Sequence, residues 1–356
     1  MTAVKVYVVD DSAVVRQTVA HLLANSTEIE LMGSAPNPLI AAPILRRTRP
    51  DVLLLDIEMP GMDGLTFLRQ IMAEDPIPTV ICSTLSTDGS RIALEAMAAG
   101  AVAVIAKPKL GLKQFLEESR REMIQTLKAA ARARPRRLVS AGTAVASRPV
   151  VKAAGPGAGS AIHAFAVNKP VVIGSSTGGT QALEAVLTAL PADAPGIAIT
   201  QHMPEKFTAM YAERLNGLCA MNVREARDGD RLERGVALIA PGGRHMQLRK
   251  AGGQYFVVVA DGPPVNRHKP SVDVLFRSAA DCAGRDALAI IMTGMGDDGA
   301  RGMKLLHNAG ARTIAQNEET CVVFGMPKEA IKLDAVDDIL PLDMMARAIL
   351  QFDARA

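Results

Sequence analysis

Residues 171–180 read VVIGSSTGGT, an apolar run that breaks into small and hydroxyl residues before a helical pattern begins. Gly174, Ser176 and Gly178 form a GxSxG motif, in which the glycines permit a tight strand-to-helix turn that exposes the central serine. The same pattern is also typical of a turn that caps a helix or binds a phosphate. A serine at such a turn becomes a nucleophile only with a base and a carboxylate that orients the base.

Two further strand patterns in this half of the chain end in side chains that suit those roles. The run 196–200 is followed by Gln201 and His202, and the run 287–292 is followed by Asp297 and Asp298. Because the carboxyl ends of parallel strands meet at one sheet edge, we expect serine, histidine and carboxylate to lie together. Their order along the chain differs from that of α/β-hydrolases, so a different doubly wound, mainly parallel α/β domain is predicted. Spacing alone does not choose between the two aspartates.

A dinucleotide site is the main competing interpretation of the later motif. Residues 294–299 form a literal GxGxxG between a strand and a helix, with Glu318 about twenty residues further on. Asp297 and Asp298, however, place negative charge where a pyrophosphate has to bind. The motif also occurs late in the domain, so dinucleotide binding is disfavoured.

The first part of the chain shows its own alternation of strands and helices, which predicts another parallel doubly wound sheet. Strand patterns at 4–9, 52–55, 79–82 and 102–106 end in the polar residues Asp10, Asp11, Asp56, Ser83 and Lys107. Three carboxylates at one sheet edge repel one another unless a cation lies between them, and hard oxygen ligands suit Mg²⁺. A lysine and a hydroxyl opposite them are suited to contact a phosphoryl group.

Residues 4–125 closely resemble the receiver domain of two-component response regulators. The resemblance is carried by the acidic pair, the run DIEMPGMDG from Asp56, Ser83 and the pair Lys107-Pro108. It implies a flavodoxin-like fold and phosphorylation of Asp56 by a histidine kinase. It also implies an Mg²⁺ held by Asp10, Asp11, Asp56 and the backbone carbonyl of Glu58, with Ser83 and Lys107 contacting the phosphoryl group.

Composition separates this segment from the serine-containing half. From about residue 129 to 167 the chain is rich in Ala, Arg, Pro, Ser and Gly without apolar periodicity, which is typical of a linker. We therefore expect a receiver domain at 1–125, a flexible linker at 126–167 and a catalytic domain at 168–356. The formal charge of +3 comes largely from Arg and Lys between 120 and 152, so nucleic-acid binding is not indicated.

Apolar stretches are too short for a membrane span, which takes roughly 18 residues. The first residues run straight into a strand pattern without the layout of a signal peptide. These features predict a cytoplasmic protein without direct membrane insertion.

Across nearly the whole chain, the sequence is very similar to the chemotaxis response regulator protein-glutamate methylesterase family. In the second half the resemblance rests on GSSTGGT at 174–180, QHMP at 201–204, APG at 240–242, RHKPSVD at 267–273, TGMGDDG at 293–299, AQNE at 315–318 and GMP at 325–327. It implies a triad of Ser176, His202 and Asp298, with Asp298 chosen because the family often has Asn in place of Asp297. It also implies an oxyanion site flanked by Thr177 and Met295.

The implied reaction is hydrolysis of glutamate γ-methyl esters on methyl-accepting chemotaxis receptors, with deamidation of glutamines by the same groups. The ester chemistry itself needs no cofactor, and receiver phosphorylation is expected to control it. A docking module without catalysis is the alternative from another class, but it does not need a complete Ser, His, Asp set. A transcription factor is disfavoured because no terminal helix-turn-helix pattern with basic recognition residues is present.

Overall fold

The structure is a computed structural model that describes residues 3–24, 26–83, 87–107, 113–133, 169–205 and 207–354. Most of the expected linker, residues 134–168, and also Pro108 lie outside the described residues. Among the helices that the structure describes, none combines the length and the hydropathy needed to cross a membrane.

The N-terminal half is a five-stranded sheet in the order β2-β1-β3-β4-β5, and all of its strand pairs are parallel. Its elements are β1 (Val4–Val9), α1 (Ala13–Leu23), β2 (Ile29–Ala35), α2 (Pro38–Arg47), β3 (Val52–Asp56), α3 (Gly64–Glu74), β4 (Thr79–Ser83), α4 (Thr87–Ala98), β5 (Ala103–Ala106) and α5 (Lys113–Ala130). This order is the doubly wound arrangement that the alternating pattern predicts.

Apolar side chains of this sheet are buried on both of its faces. Along β1, Tyr7 and Val9 belong to one buried cluster, whereas Val6 and Val8 belong to another. Successive side chains of a strand point to opposite faces, so a strand covered on both sides is apolar at nearly every position. The predicted run 4–9 coincides with β1, and Ser12 caps α1, since its Oγ accepts the Val15 N–H.

The C-terminal half has a seven-stranded parallel sheet in the order β14-β13-β12-β6-β7-β9-β8. Its elements are β6 (Val171–Ser175), α6 (Gly179–Thr188), β7 (Ile197–Gln201), α7 (Phe207–Leu218), β8 (Asn222–Glu225), β9 (Val236–Ile239), β10 (His245–Ala251), β11 (Gln254–Ala260), α8 (Val272–Cys282), β12 (Leu288–Ile291), α9 (Ala300–Asn308), β13 (Arg312–Gln316), α10 (Met326–Lys332), β14 (Asp338–Leu340) and α11 (Met345–Asp353).

An antiparallel hairpin of β10 and β11 interrupts the alternation of strands and helices that the sequence predicts for this half. Gly252 and Gly253 form its two-residue turn with φ of +56° and +77°. Two consecutive left-handed residues are the backbone of a tight hairpin turn, and glycine adopts them without strain. The hairpin packs against α8, outside the main sheet.

Strand order brings the carboxyl ends of β12, β6 and β7 side by side. The register pairs Ser175 with Gln201 on one side of β6, and Gly174 with Ile291 on the other. The chain leaves β6 in one direction to form β7 and returns on its other side as β12, so β6 lies at the switch point of the sheet. In doubly wound sheets the crevice at such a point is the usual position of a functional site.

The two halves contact each other on two sides of the β6–α6 turn. Helix α4 packs against α6 and α7, and the Gln181 side chain donates to the carbonyl of Met97 at 2.6 Å. Val323 joins the apolar cluster that contains Leu127 and Ala130 of α5, and Met295 packs against that same cluster. The N-terminal half therefore covers loops that adjoin the turn.

Candidate active site

Ser176 follows β6 directly and begins a turn whose shape depends on glycine. Gly178 has φ of +77°, and a Cβ added there would lie 2.4 Å from the Val322 Cβ, so no other residue fits. The Ser176 N–H donates to the Thr293 carbonyl at 3.0 Å, and its own carbonyl accepts the Gly179 N–H at 2.7 Å. The serine lies at a strand-to-helix turn, as the motif predicts, but it is half-buried rather than fully exposed.

His202 follows the neighbouring strand β7, and its N–H donates to the Ser175 carbonyl at 3.0 Å. Its Nε2 lies 2.8 Å from Oδ2 of Asp298. An ionised carboxylate can only accept, so Nε2 carries the proton and Nδ1 is the basic nitrogen. Nδ1 is buried and has no hydrogen-bond partner within the described ranges. It is the ring nitrogen left free to accept a proton, and in this structure the Ser176 hydroxyl does not hydrogen-bond to it.

Asp298 is buried at the N-terminus of α8, where hydrogen-bond donors surround its carboxylate. It accepts from His202 Nε2 (2.8 Å), Val272 N (2.7 Å), Ser271 Oγ (2.7 Å), Asn266 Nδ2 (2.8 Å) and Asp273 N (3.3 Å). Burial opposes ionisation, but the bonds from His202, Asn266 and Ser271 outweigh it and hold the pKa of Asp298 well below its usual range. The carboxylate thus stays charged and fixed.

The adjacent Asp297 is exposed, whereas Asp298 has only 1% of its surface accessible. Of the two aspartates that spacing left open, only Asp298 pairs with His202. The donors Asn266 and Ser271 were not predicted as site residues. They lie in the polar loop next to α8, and the left-handed backbone of Asn266, with φ of +50°, is a local sign of a constrained loop.

His268 lies in the same loop and stacks on the base. The rings of His202 and His268 are 3.7 Å apart and inclined by 9°. Burial, followed by the proximity of His202, lowers the pKa of His268 to about 3. His268 is therefore a neutral flat surface against one face of the His202 ring near neutral pH.

Backbone donors for a developing oxyanion border the serine. The Ser176 N–H is already used by Thr293, but the N–H groups of Thr177 and Met295 have no hydrogen-bond partner in the described part of the chain. Gly294 brings the second loop close, because a Cβ on it would lie 2.7 Å from the Ser176 Cβ. The two expected oxyanion residues thus flank the serine with free donors.

The acidic site of the N-terminal half lies at the carboxyl ends of β1 and β3. One carboxylate oxygen each from Asp10, Asp11 and Asp56 can be chosen so that all lie within 4.8 Å of one another. Lys107 Nζ is 2.7 Å from Asp56 Oδ2 and 3.2 Å from Asp10 Oδ2. Ser83 is buried at the end of the adjacent β4, and its carbonyl accepts the Lys107 N–H.

The electrostatics of this cluster fit a divalent cation. Burial, opposed by Lys107 and reinforced by Asp10, raises the pKa of Asp56 to about 6, and burial also raises the pKa of Asp10. The positive charge of Lys107 alone therefore does not compensate the negative charge of the carboxylates. Glu58 lies beside them, because its N–H donates to Asp56 Oδ1 at 3.3 Å. An all-oxygen donor set of this kind suits Mg²⁺.

Comparisons with known proteins match both halves. Residues 171–349 match the family model described as CheB methylesterase, and residues 6–118 match the response regulator receiver domain. The solved catalytic domain of CheB methylesterase from Thermotoga maritima aligns with a TM-score of 0.50 and 37% identity, covering 52% of this chain and 98% of that domain. The predicted doubly wound architecture of both halves is confirmed.

Full-length relatives extend the match over nearly the whole chain. A protein named protein-glutamate methylesterase/protein-glutamine glutaminase 1 from Xanthomonas oryzae pv. oryzae is 58% identical over 96% of this chain and 99% of its own length. A relative with the same name numbered 2, from Dechloromonas aromatica, is 59% identical over 98% of both chains. These relatives carry both halves in one chain.

Proposed function

The chain belongs to the CheB methylesterase family, and from this we propose that it hydrolyses glutamate γ-methyl esters on methyl-accepting chemotaxis receptors with Ser176 as nucleophile. The observation that carries the proposal is the buried His202–Asp298 pair at 2.8 Å, placed beside the Ser176 turn. Deamidation of glutamines is the second proposed activity, since only the leaving group differs. Both serve sensory adaptation on the cytoplasmic helices of the receptor.

In the first step, the Ser176 hydroxyl attacks the ester carbonyl carbon while Nδ1 of His202 takes its proton. The N–H groups of Thr177 and Met295 donate to the oxyanion of the tetrahedral intermediate. Collapse of the intermediate breaks the bond to the methoxy oxygen, which leaves as methanol with the proton from His202. A glutamyl ester of Ser176 remains.

In the second step, His202 takes a proton from water, and the resulting hydroxide attacks the acyl-enzyme. Collapse returns the proton to Ser176 and releases the glutamate side chain. Asp298 stays ionised throughout and stabilises the charged form of His202. With a glutamine substrate, the same first step releases ammonia instead of methanol.

Control is proposed to come from the receiver domain at 1–125, joined by the linker 126–167 to the catalytic domain at 168–356. A chemotaxis histidine kinase phosphorylates Asp56, and Asp10, Asp11, Asp56 and the carbonyl of Glu58 would hold Mg²⁺. When bound, the ion would offset the negative charge of the carboxylates and of the phosphoryl group. Ser83 and Lys107 then contact the phosphoryl oxygens.

The interdomain contacts support this control. Gln181, in the helix that follows the Ser176 turn, hydrogen-bonds to the receiver, and Val323 packs into the apolar cluster of the receiver half. A receiver held at these two places restricts the approach of a helical substrate to the serine. Phosphorylation that weakens these contacts shifts the population towards an accessible site. No new chemistry is needed at the serine.

Asp56→Ala is expected to keep the basal rate of methanol release and to lose its stimulation by a phosphodonor with Mg²⁺. The variant lacks the phosphate acceptor but leaves the serine site intact. The measurement is methanol release from receptor membranes carrying labelled methyl groups, with and without phosphodonor. Normal stimulation of the variant would refute the role of Asp56.

His268→Ala is expected to lower kcat about tenfold, because the His202 ring loses the surface that supports one of its faces. Displacing a catalytic group by about 1 Å lowers the rate roughly a hundredfold, and the loss of one supporting face is expected to move the ring by less. His268→Phe keeps a flat face and is expected to retain most of the rate. Rates of methanol release for the two variants provide the comparison. Equal losses in both would show that the stacked surface is not what matters.

Two assays with the full chain test the proposed function. In the first, the chain is added to methylated receptor membranes and methanol is measured. In the second, it is added to unmodified receptors with glutamine at the same sites and ammonia is measured. Release of both products is the expected result. Phosphorylation-dependent binding to receptors without either product would favour the docking-module alternative.

A further inference from the structure

Gln201 ends strand β7 between the nucleophile turn and the base, and only 3% of its surface is exposed. Its Oε1 accepts the Ser175 hydroxyl at 2.6 Å. Its Nε2 donates one bond to the Ser176 carbonyl at 2.9 Å and another to the His202 carbonyl at 3.0 Å. Both amide protons are therefore used, and they hold the backbones of the two reacting residues.

The space around this amide is closed. A Cβ added to Gly179 would lie 2.1 Å from Gln201 Oε1, so the first turn of α6 packs directly against the side-chain amide. The backbone bond from His202 to the Ser175 carbonyl adds a third tie between the same strands. Among neutral side chains of this length, only glutamine supplies two donors and an acceptor from one rigid plane.

We propose that Gln201 is a positioning residue for the hydrolysis: its amide fixes the separation of Ser176 and His202 by binding the carbonyl groups of both. The inference rests on the proposed serine chemistry and adds to it a residue that touches neither the substrate nor the reacting atoms. Loss of the amide shifts the nucleophile relative to the base while the fold and the receptor-binding surface remain.

Two substitutions separate positioning from simple packing. Gln201→Met keeps length and burial but removes every hydrogen bond of the amide. Gln201→Glu retains one O–H donor and one acceptor when the introduced carboxyl is protonated. Once ionised, that group has only acceptors facing two carbonyl oxygens. The matched control is Gln247→Glu, since Gln247 is exposed on β10, outside the site.

The experiment measures kcat and KM for methanol release from methylated receptor membranes by the phosphorylated full chain, over a range of pH. Gln201→Met is expected to lower kcat about a hundredfold, with KM changed by less than about twofold. For Gln201→Glu, the kcat relative to wild type is expected to fall as pH rises. Dividing by the wild-type kcat at each pH removes the pH dependence that the two proteins share. Thermal unfolding establishes that each variant is folded.

A folded Gln201→Met enzyme with wild-type kcat, or one that changes only KM, overturns the inference. So does a Gln201→Glu ratio that is the same at every pH, and this ratio decides alone if Gln201→Met does not fold. Ser176→Ala separates the two levels of the account. If Ser176→Ala is active, the proposed nucleophile is wrong; if it is inactive while Gln201→Met is normal, only the role of Gln201 is wrong.

Discussion

Asp298→Asn is expected to lower kcat for methanol release about 10⁴-fold with little change in KM, because the base loses the partner that fixes its tautomer. Every neighbour of the carboxylate is a donor, including Ser271 Oγ, Asn266 Nδ2 and the Val272 N–H. An amide at this position turns an NH₂ group towards at least one of them. The His202 ring is then no longer held with its proton on Nε2.

The same substitution is expected to destabilise the protein by about 1–2 kcal/mol, because Asp298 also caps the N-terminus of α8 from outside the helix. Denaturant unfolding near neutral pH provides the measurement. The low folded-state pKa of Asp298 means that its stabilisation is present above the ordinary pKa of an aspartate and is lost as pH falls. The stabilities of wild type and variant should therefore converge in acid.

Asp297→Asn is the matched control, since Asp297 is the exposed neighbour of Asp298 in the chain. Its kcat and stability are expected to stay within about twofold and 0.5 kcal/mol of wild type, as is usual for a surface substitution. If Asp297→Asn is the inactive variant, the carboxylate role belongs to the other aspartate.

Ser176→Ala is expected to reduce methanol release by at least about 10⁴-fold, because the hydroxyl that forms the acyl-enzyme is absent. Its receiver should still accept phosphate at Asp56, which provides the internal control for folding. Combining Ser176→Ala with Asp298→Asn is expected to cost little more than Ser176→Ala alone, since both residues act in one step. Additive losses would show that they act separately.

Much of the site is predictable because the ends of strands can be recognised from the sequence pattern. Asp10, Asp56 and Ser83 lie at the ends of β1, β3 and β4, and Ser176 and His202 follow β6 and β7. Because both sheets are parallel, each set lies at one edge of its own sheet. The order of serine, histidine and aspartate along the chain then argued against an α/β-hydrolase fold.

Other parts depend on packing between distant segments. The Gly252–Gly253 hairpin follows from a two-residue turn, but its placement against α8 does not. The donors to Asp298, the stacking of His268 on His202 and the bonds of Gln201 join loops whose approach is set by strand order. The sequence gives the type of a polar loop residue, but it does not show which residue will be its hydrogen-bond or stacking partner.

The roles of individual site residues and the domain boundaries stay predictions. Helix α5 continues to Ala130, so the regular structure of the receiver half extends beyond residue 125. Most of the expected linker lies outside the described residues. The contacts of Gln181 and Val323 with the receiver half nevertheless give the proposed control a physical basis.

In the proposed mechanism, phosphorylation of the receiver exposes Ser176. The most direct test of this step is a continuous record of methanol release from methylated receptor membranes, in which a phosphodonor and Mg²⁺ are added partway through. For the wild-type chain, the account predicts a slope that rises on addition and falls back as the phosphoryl group hydrolyses, with no slope at any time for Ser176→Ala. A wild-type slope that does not respond, or a measurable slope for Ser176→Ala, would contradict it.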